Sequence, residues 1–431
     1  MGPSSRPPDP ASGVVERARR AGPCRVFRLG CLLVLLLVIS SGAAAQDTVP
    51  ATTASLGSRW AFGGGASISV APEDTGYFNY STGAYSMLRL VRLDGSAAFR
   101  AGSRVTLIAD IRLQGAIAEG GWQVRPYALF ARIRPWSQAA VDIQVGLVPP
   151  VFGAFSRRAY GTDNPLIGFP FGYQYVTTLR ADALPASVDE LLSKRGSGWR
   201  VRYSIGNPEA EYGVPLADGL RYPAGVEVHA AGRRVEASVA VTTGSSSIPN
   251  SMDIGWRPQV SARLAARPVA GLVIGGSLSN GRFFTLALTD TLGAGAQSSP
   301  NDQTAAGFDA EYSRGHLIVR AEGIASWWRL PRSAPPYLQA PLGAFALDVE
   351  ARYRLLPGLY AAMRVDRVDF SEVCGTVGCL PWDAPVRRIE AGGGYSIRRN
   401  VVLKGAYQYN WRDGARHSRL GLAAAQLLVW F

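Results

Sequence analysis

Residues 344–355, AFALDVEARYRL, alternate between two kinds of side chain. The odd positions, from Phe345 to Leu355, are apolar or aromatic, whereas the even positions from Asp348 to Arg354 are charged. In an extended chain, successive side chains point to opposite faces, so a two-residue period is typical of a β-strand. The stretch therefore predicts a strand with one apolar face and one charged face that contacts water.

The same alternation recurs along most of the chain after residue 45, for example at residues 105–114, 141–147, 388–398 and 401–412. Several of these segments are ten or more residues long. Strands of globular proteins usually have five or six residues, whereas a tilted strand needs about 9–11 residues to cross a bilayer. Because no stretch in this region has a convincing helical period, the sequence predicts an all-β fold, a transmembrane antiparallel up-and-down β-barrel.

Connections between these segments alternate in length, as expected for a membrane barrel with short turns at one end and longer loops at the other. The short turns are residues 100–104, 134–138, 231–233, 267–271, 314–316, 356–358 and 398–400. The long connections are residues 72–84, 148–196, 207–222, 244–255, 281–303, 328–341 and 371–385. Seventeen strands are evident, and a closed single-chain barrel needs an even number. We place the missing strand at residues 171–180, which predicts about 18 strands, with 16 as the alternative.

The N-terminal region has the three parts of a secretory signal peptide. Several arginines precede an unbroken apolar run at residues 32–39, and the small residues at 40–45 follow it. A membrane-anchor helix is the alternative, but the run is about half of the roughly 20 residues that a helix needs. The predicted organisation is a signal peptide at residues 1–45, a short periplasmic segment at 46–59 and a barrel at 60–431.

Cys374 and Cys379 are the only cysteines after residue 45. In an exported, oxidising setting they are candidates for a small disulfide, and two unpaired thiols are the alternative. No third or fourth ligand lies nearby, so no metal site is predicted. The whole chain has a formal charge of +13 and its basic residues are mostly arginine. This charge favours anions and lipopolysaccharide phosphates as partners, and export argues against nucleic acid.

Two segments resemble bacterial outer-membrane proteins. The C-terminal strand places Leu427, Val429 and Phe431 on one face and ends on an aromatic residue. It resembles the targeting strand that the barrel-assembly machinery recognises. Residues 145–153, VGLVPPVFG, resemble a strand end and turn of phosphate-selective and related porins. The resemblance implies a monomeric or homotrimeric diffusion channel in outer-membrane lipid, constricted by a loop that folds inward.

The resemblance assigns the constriction to residues 148–196, the one connection long enough for it. The candidate constriction residues are Arg157, Arg158, Tyr160, Phe169 and Tyr173. If the apolar faces contact lipid, the opposite faces line the lumen. The candidate lumen residues are Arg112, Arg132, Arg200, Arg202, Arg263, Arg320, Asp348, Glu350, Arg352, Arg354, Arg364, Arg388 and Lys404. With the further acids Asp110, Asp142, Glu236, Glu322, Asp366 and Glu390, eleven basic positions oppose eight acidic ones. A modest anion preference follows, and ion pairs that only hold the wall together are the alternative.

Signals for catalysis are weak. The only histidines, His229, His316 and His417, are scattered without metal-ligand spacing, and no G-x-S-x-G motif occurs. We therefore predict no enzymatic activity and no cofactor. The predicted function is a porin of a Gram-negative outer membrane that passes small hydrophilic solutes by passive diffusion. A structural or adhesive barrel plugged by residues 148–196 and an outer-membrane hydrolase are the alternatives.

Overall fold

The computed structural model describes residues 59–81, 86–116, 121–136, 140–159, 161–249, 258–293, 301–414 and 418–431. In chain order its strands are β1 (Trp60–Val70), β2 (Leu90–Arg100), β3 (Val105–Ala116), β4 (Trp122–Ile133), β5 (Val141–Leu147), β6 (Ala183–Leu184), β7 (Ile205–Gly206), β8 (Ala224–Ala231), β9 (Val235–Thr242), β10 (Gln259–Ala266), β11 (Leu272–Arg282), β12 (Asp302–Arg314), β13 (Leu317–Trp328), β14 (Leu342–Leu356), β15 (Leu359–Phe370), β16 (Glu372–Gly375), β17 (Gly378–Pro381), β18 (Val386–Arg398), β19 (Val401–Arg412) and β20 (Ser418–Trp430). The helices are a 3₁₀ turn at Phe155–Arg158, α1 (Phe171–Gln174), α2 (Val188–Ser193) and α3 (Leu286–Leu292). Within these described ranges, no helix is long and apolar enough to cross a membrane.

Sixteen of the strands form one closed antiparallel barrel. The barrel closes where β1 pairs with β20, with Gly65 opposite Trp430 and Val70 opposite Ala425. Closure leaves no strand edge with unpaired backbone groups, which is what a sheet surrounded by lipid requires. The predicted all-β antiparallel barrel is therefore confirmed, because each barrel strand pairs in register with its neighbours around the ring.

The preferred count of 18 strands was wrong, and the alternative of 16 is confirmed. Strand β5 pairs directly with β8, with Leu147 opposite Ala224, so the wall has no strand between them. Residues 171–180, expected to supply the missing strand, form α1 and a buried extended stretch. Residues 197–206, counted among the evident strands, contribute only the short β7, which pairs with β6 outside the barrel sheet. Both segments bury their aromatic side chains inside the barrel instead of presenting them to lipid.

The outer face of the wall is apolar, as the alternation predicted. On β14, β15 and β19 the outward side chains of Val349, Val365 and Leu403 are 42%, 44% and 47% exposed. Their sequence neighbours Glu350, Arg364 and Lys404 point inward and are almost fully buried. An apolar surface that continues around the whole barrel suits a lipid environment and would be unusual on a soluble monomer.

The connections differ at the two ends of the barrel. At one end, which we call the short-turn end, strands are joined by turns such as residues 315–316, 357–358 and 399–400. At the other, the long-loop end, connections such as residues 283–301, 329–341 and 371–385 are much longer. The longest of all is residues 148–223, between β5 and β8, which we call the inner segment.

The inner segment forms an apolar core with the long loops and with the part of the barrel wall near the long-loop end. Its buried contributions include Phe152, Phe155, Phe171, Tyr173, Leu184 and Leu216. The wall and loops contribute Phe283, Ile324, Trp328, Leu342, Val368 and Trp382. A barrel interior that packs apolar side chains needs a partner from the chain itself, because the lumen would otherwise expose them to water. The inner segment therefore lies inside the lumen and fills much of its long-loop half.

Candidate functional site

Seven ionisable side chains on four adjacent strands form a cluster that we call the wall network: Glu322 on β13, Asp348 and Glu350 on β14, Arg364 and Asp366 on β15, and Arg388 and Glu390 on β18. Strand register brings them together, since Glu350 lies opposite Arg364 and Asp366 lies opposite Arg388. All seven are at least nine-tenths buried. Five of them, Glu350, Arg364, Asp366, Arg388 and Glu390, are joined by ion pairs, as buried charges require.

Arg364 is the centre of the wall network and its side chain is fully buried. Its guanidinium lies 2.6 Å from Glu390 Oε2, 3.3 Å from Glu350 Oε2 and 3.4 Å from Asp366 Oδ2. Arg388 donates from Nε to the same Asp366 oxygen at 2.8 Å. The planar, multi-donor guanidinium suits such an arrangement, because it can bind several carboxylates at once.

The wall network binds the backbone of the inner segment. Gly168 N donates to Glu390 Oε1 at 3.0 Å, and Gly168 O accepts from Arg364 Nη2 at 2.7 Å. Phe171 N donates to Asp366 Oδ1 at 3.2 Å, and Arg388 stacks 4.1 Å above the Phe171 ring. A Cβ at position 168 would lie closest to Gln408 Nε2 and 2.9 Å from Glu390 Oε2, so a larger residue there would have to displace these two side chains. The buried charges therefore fix where the inner segment lies in the lumen.

Glu322 holds the start of the inner segment. Its carboxylate accepts from Ala154 N at 2.7 Å and Phe155 N at 3.0 Å, and also from the Tyr173 hydroxyl. Burial, followed by the neighbouring Glu322 charge, raises the pKa of Tyr173 well above its usual value. The tyrosine therefore stays protonated and donates its hydrogen to Glu322.

We expect Glu322→Ala to lower the free energy of unfolding by about 3 kcal/mol, because a buried N–H group, a partly buried N–H group and a buried hydroxyl lose their acceptor. Urea unfolding of the refolded barrel in vesicles measures this. The control is Glu311→Ala on the adjacent strand, where a more exposed carboxylate pairs with Arg320 and its loss should cost less than about 1 kcal/mol. Equal losses in both variants would show that Glu322 does not anchor the segment.

A cavity of about 310 Å³ lies between the inner segment and the short-turn end of the barrel. Arg352, Arg354, Lys404 and Thr162 are among the residues that line it. Lys404 Nζ donates to Gly161 O at 2.6 Å and also to Asn164 O, so this side chain holds the inner segment. Within the described part of the chain, Arg352 and Arg354 form no ion pair. The cavity therefore presents uncompensated positive charge to the lumen.

The long loop between β15 and β18 covers the inner segment. Asp383 accepts from Thr178 N at 2.8 Å and Gly196 N at 2.7 Å. Burial raises the pKa of the Asp383 carboxyl, and these backbone donors, with Ala384 N, oppose that shift. The strands β16 and β17 of this loop form a hairpin in which Cys374 and Cys379 are joined by a disulfide.

The same hairpin contacts the inner segment directly, because Thr376 N donates to Asp189 Oδ1 at 2.8 Å. Asp189 lies in the first turn of α2, a helix that Ser187 caps by accepting from Glu190 N. The sequence identified the cysteine pair but not its position over the inner segment. That position depends on a contact between residues far apart in the chain.

Most of the predicted lumen residues lie on inward faces of barrel strands: Arg112, Arg132, Arg263, Arg320, Asp348, Glu350, Arg352, Arg354, Arg364, Arg388 and Lys404. Arg200 and Arg202 do not. Both are exposed residues of the inner segment, because residues 197–206 never enter the wall. The prediction that these two arginines lie on the barrel wall was wrong because the residues that carry them form no strand of the barrel.

The predicted constriction residues lie in the inner segment, with Phe169 and Tyr173 buried in it. Arg157 reaches Glu236 on β9 at 2.7 Å, and Arg158 lies 3.6 Å from Glu350. Tyr160 is outside the described residues. Leu427 and Val429 lie on the outer face of β20, and Phe431 follows that strand; their role in assembly stays a prediction.

Arg180 was not among the site residues predicted from the sequence. It is fully buried and donates to Val201 O at 2.7 Å, and it pairs with Asp182 at 2.8 Å. Burial opposes ionisation of Asp182, but hydrogen bonds from Arg180 and Asn207 outweigh it and lower the Asp182 pKa. The only signal in the sequence was the short spacing between Arg180 and Asp182.

Comparison with known proteins supports the fold. No protein-family model matches the chain, and no curated protein matches it in sequence. Among solved structures, OmpF of Salmonella typhi in complex with daunomycin is 13% identical, with a TM-score of 0.52 over 86% of this chain and 97% of that one. The outer-membrane channel DcaP of Acinetobacter baumannii is 9% identical, with a TM-score of 0.50 over 86% of this chain and 96% of that one. Outer-membrane expressed OmpT of Vibrio cholerae is also 9% identical, with a TM-score of 0.50 over 86% and 97%. The chain therefore has a porin-like β-barrel fold.

Proposed function

We propose that this protein is an outer-membrane channel that passes small hydrophilic solutes by diffusion and catalyses no reaction. The observation that carries the proposal is the charged interior of a closed 16-strand barrel, with the inner segment bound to the wall by buried polar contacts. A barrel of this size encloses a water-filled lumen unless something fills it. The short-turn end then faces the periplasm and the long-loop end faces outward.

The part of the wall away from the wall network supports a water-filled passage. On β2 and β3, Arg112 Nε lies 2.6 Å from Asp94 and its guanidinium stacks 3.6 Å above the Tyr127 ring. The Asp94 side chain remains 32% exposed. A charged wall that stays partly exposed at Asp94, beside a segment held in the lumen, is the arrangement that a constricted diffusion channel needs.

Single-channel recording tests the proposal. Residues 46–431, refolded and inserted into a planar bilayer, are expected to give stable conductance steps. A barrel that inserts correctly, as judged by its folded electrophoretic form, and yet stays silent would favour the plugged structural barrel instead.

We also propose a modest anion preference. Without Arg200 and Arg202, nine basic wall positions oppose eight acidic ones, so the number of charges alone gives little anion preference. The environment of the charges contributes more to it. The carboxylates of Glu322, Asp366 and Glu390 are buried and hydrogen-bonded to the inner segment, whereas Arg352 and Arg354 face the cavity.

The double variant Arg352→Ala/Arg354→Ala is expected to lower the anion-to-cation permeability ratio about two- to threefold, because it removes two positive charges from a low-dielectric passage. The reversal potential in a salt gradient measures the ratio. Arg200→Ala/Arg202→Ala is the matched control, since it removes the same charge from exposed positions of the inner segment. A cation-selective wild-type channel, or equal shifts in both variants, would contradict the proposal.

We also propose that the protein is exported through a cleaved signal peptide. Residues 1–45 would be removed as a signal peptide, so the exported protein would begin at Gln46, which N-terminal sequencing tests. These residues lie outside the part of the chain that the structure describes. Recognition of the last strand by the barrel-assembly machinery, contacts with lipopolysaccharide and assembly as a homotrimer also stay predictions.

A further inference from the structure

Exposed arginines surround the barrel at the short-turn end. Six of the seven short turns contain at least one arginine, and another arginine immediately precedes β1. We call this set the arginine ring: Arg59, Arg100, Arg104, Arg134, Arg233, Arg234, Arg267, Arg314, Arg398 and Arg399. All ten are exposed. No acidic residue occurs within any of the seven turns.

The long-loop end has no such excess. By sequence, the connections at residues 71–89, 117–121, 148–223, 243–258, 283–301, 329–341, 371–385 and 413–417 together contain fifteen Asp or Glu and thirteen Arg or Lys. The positive charge of the barrel is therefore concentrated at one end. The surroundings of the short-turn end must therefore account for the excess of positive charge there.

The arginine ring lies next to the edge of the apolar outer face of the barrel wall. Exposed aromatic residues lie within two positions of several of its members: Trp60 beside Arg59, Trp136 after Arg134 and Tyr312 before Arg314. Exposed tryptophan and tyrosine at the ends of membrane spans lie at the level of lipid headgroups. The arginines are thus at the depth where lipid phosphates lie.

Few of these arginines have acidic partners in the protein. Within the described residues, Arg134 pairs with Asp142 at 2.9 Å and Arg267 pairs with Glu236 at 3.2 Å, and the other ring members form no ion pair. A guanidinium matches phosphate oxygens in geometry and binds them through two parallel hydrogen bonds. An arginine at a membrane surface with no acidic partner is available for that contact.

We propose that the arginine ring is a binding surface for the phosphate headgroups of anionic phospholipids in the leaflet at the short-turn end. This inference rests on the proposed membrane insertion and goes beyond solute diffusion. Each arginine near an anionic surface favours binding about fivefold, so a few together give a clear preference over zwitterionic lipid. The ring would hold the barrel at a fixed depth and retain a shell of anionic lipid.

The test uses the mature protein refolded in vesicles of phosphatidylcholine with a minor share of phosphatidylglycerol. After extraction in mild detergent, mass spectrometry measures the ratio of the two lipids that remain bound. Wild type should be enriched severalfold in phosphatidylglycerol over the vesicle composition. The triple variant Arg104→Gln, Arg314→Gln and Arg399→Gln, which changes three different turns, should lose most of that enrichment.

The matched control is Arg200→Gln, Arg202→Gln and Arg332→Gln, which removes the same charge from exposed long-loop positions. It should keep the wild-type enrichment. Equal loss in both triple variants would overturn the inference, because net charge alone would then explain binding. Displacement of the lipid by millimolar inorganic phosphate would also overturn it, because the ring would then be a site for free phosphate.

Conductance of the same preparations separates this inference from the proposed function. A barrel that conducts without retaining phosphatidylglycerol refutes lipid binding and leaves the channel intact. A barrel that retains phosphatidylglycerol through the ring but stays electrically silent refutes the channel and leaves lipid binding intact.

Discussion

A barrel in which β5 is joined directly to β8 is expected to conduct at least about threefold more current than the intact protein, because conductance rises with the open cross-section of the lumen. The junction is short enough to build. Leu147 and Ala224 are register partners, and Val148 N donates to Pro223 O at 2.9 Å, so a two-residue Asn-Gly turn can replace residues 149–222. The sixteen strands and their pairings stay unchanged.

Single-channel recording measures this prediction, and folded electrophoretic mobility confirms that the shortened barrel has closed. The deletion exposes Trp328, Leu342 and Val368 to the lumen, so some loss of stability is expected. A closed barrel whose conductance equals that of the intact protein would show that the inner segment does not limit the current. Glu322→Ala provides a milder release of the same segment, and it should raise current noise without removing the core.

Arg364→Ala is expected to lower the free energy of unfolding by about 3–5 kcal/mol, because removal of one partner leaves buried charges uncompensated. Three carboxylates depend on this side chain, those of Glu350, Asp366 and Glu390, and none is more than 4% exposed. The variant also removes the donor to Gly168 O. It should therefore destabilise both the wall and the inner segment.

Equilibrium unfolding in urea, in vesicles, measures the effect of Arg364→Ala. The control is Arg367→Ala on the same strand, where the side chain is 54% exposed on the outer face and pairs with Asp369. That change should lower stability by less than about 1 kcal/mol. If Arg364→Ala were as mild as its control, solvent must reach the wall network, and the inner segment would not be anchored by buried charge.

The inward positions of the wall network could be predicted from alternation, and their contacts could not. Period-two patterning placed Glu350, Arg352 and Arg364 on the charged face of their strands. It could not reveal that Glu390 binds Gly168 N, because those residues are 222 positions apart. Contacts of this kind depend on how strands are ordered around the barrel, which no local pattern contains.

The arginine ring shows a similar limit. Arginines were visible in the turns at residues 231–233, 267–271 and 398–400 when only the sequence was considered. Their role could be inferred only from the structure, which places all these turns at one end of the barrel, beside exposed aromatic residues. Only the closed barrel gathers charges that are far apart in sequence into one ring.

Strand character, the apolar outer face and the membrane-barrel class were decided by the sequence alone, because alternation is a local property of each extended segment. The number of strands was decided by tertiary structure. Residues 171–180 and 197–206 have the composition of strands, but β5 and β8 already satisfy each other's backbone groups through seven register pairs. The intervening chain could gain more by burying its aromatic side chains within the lumen, where the wall network accepts its backbone hydrogen bonds.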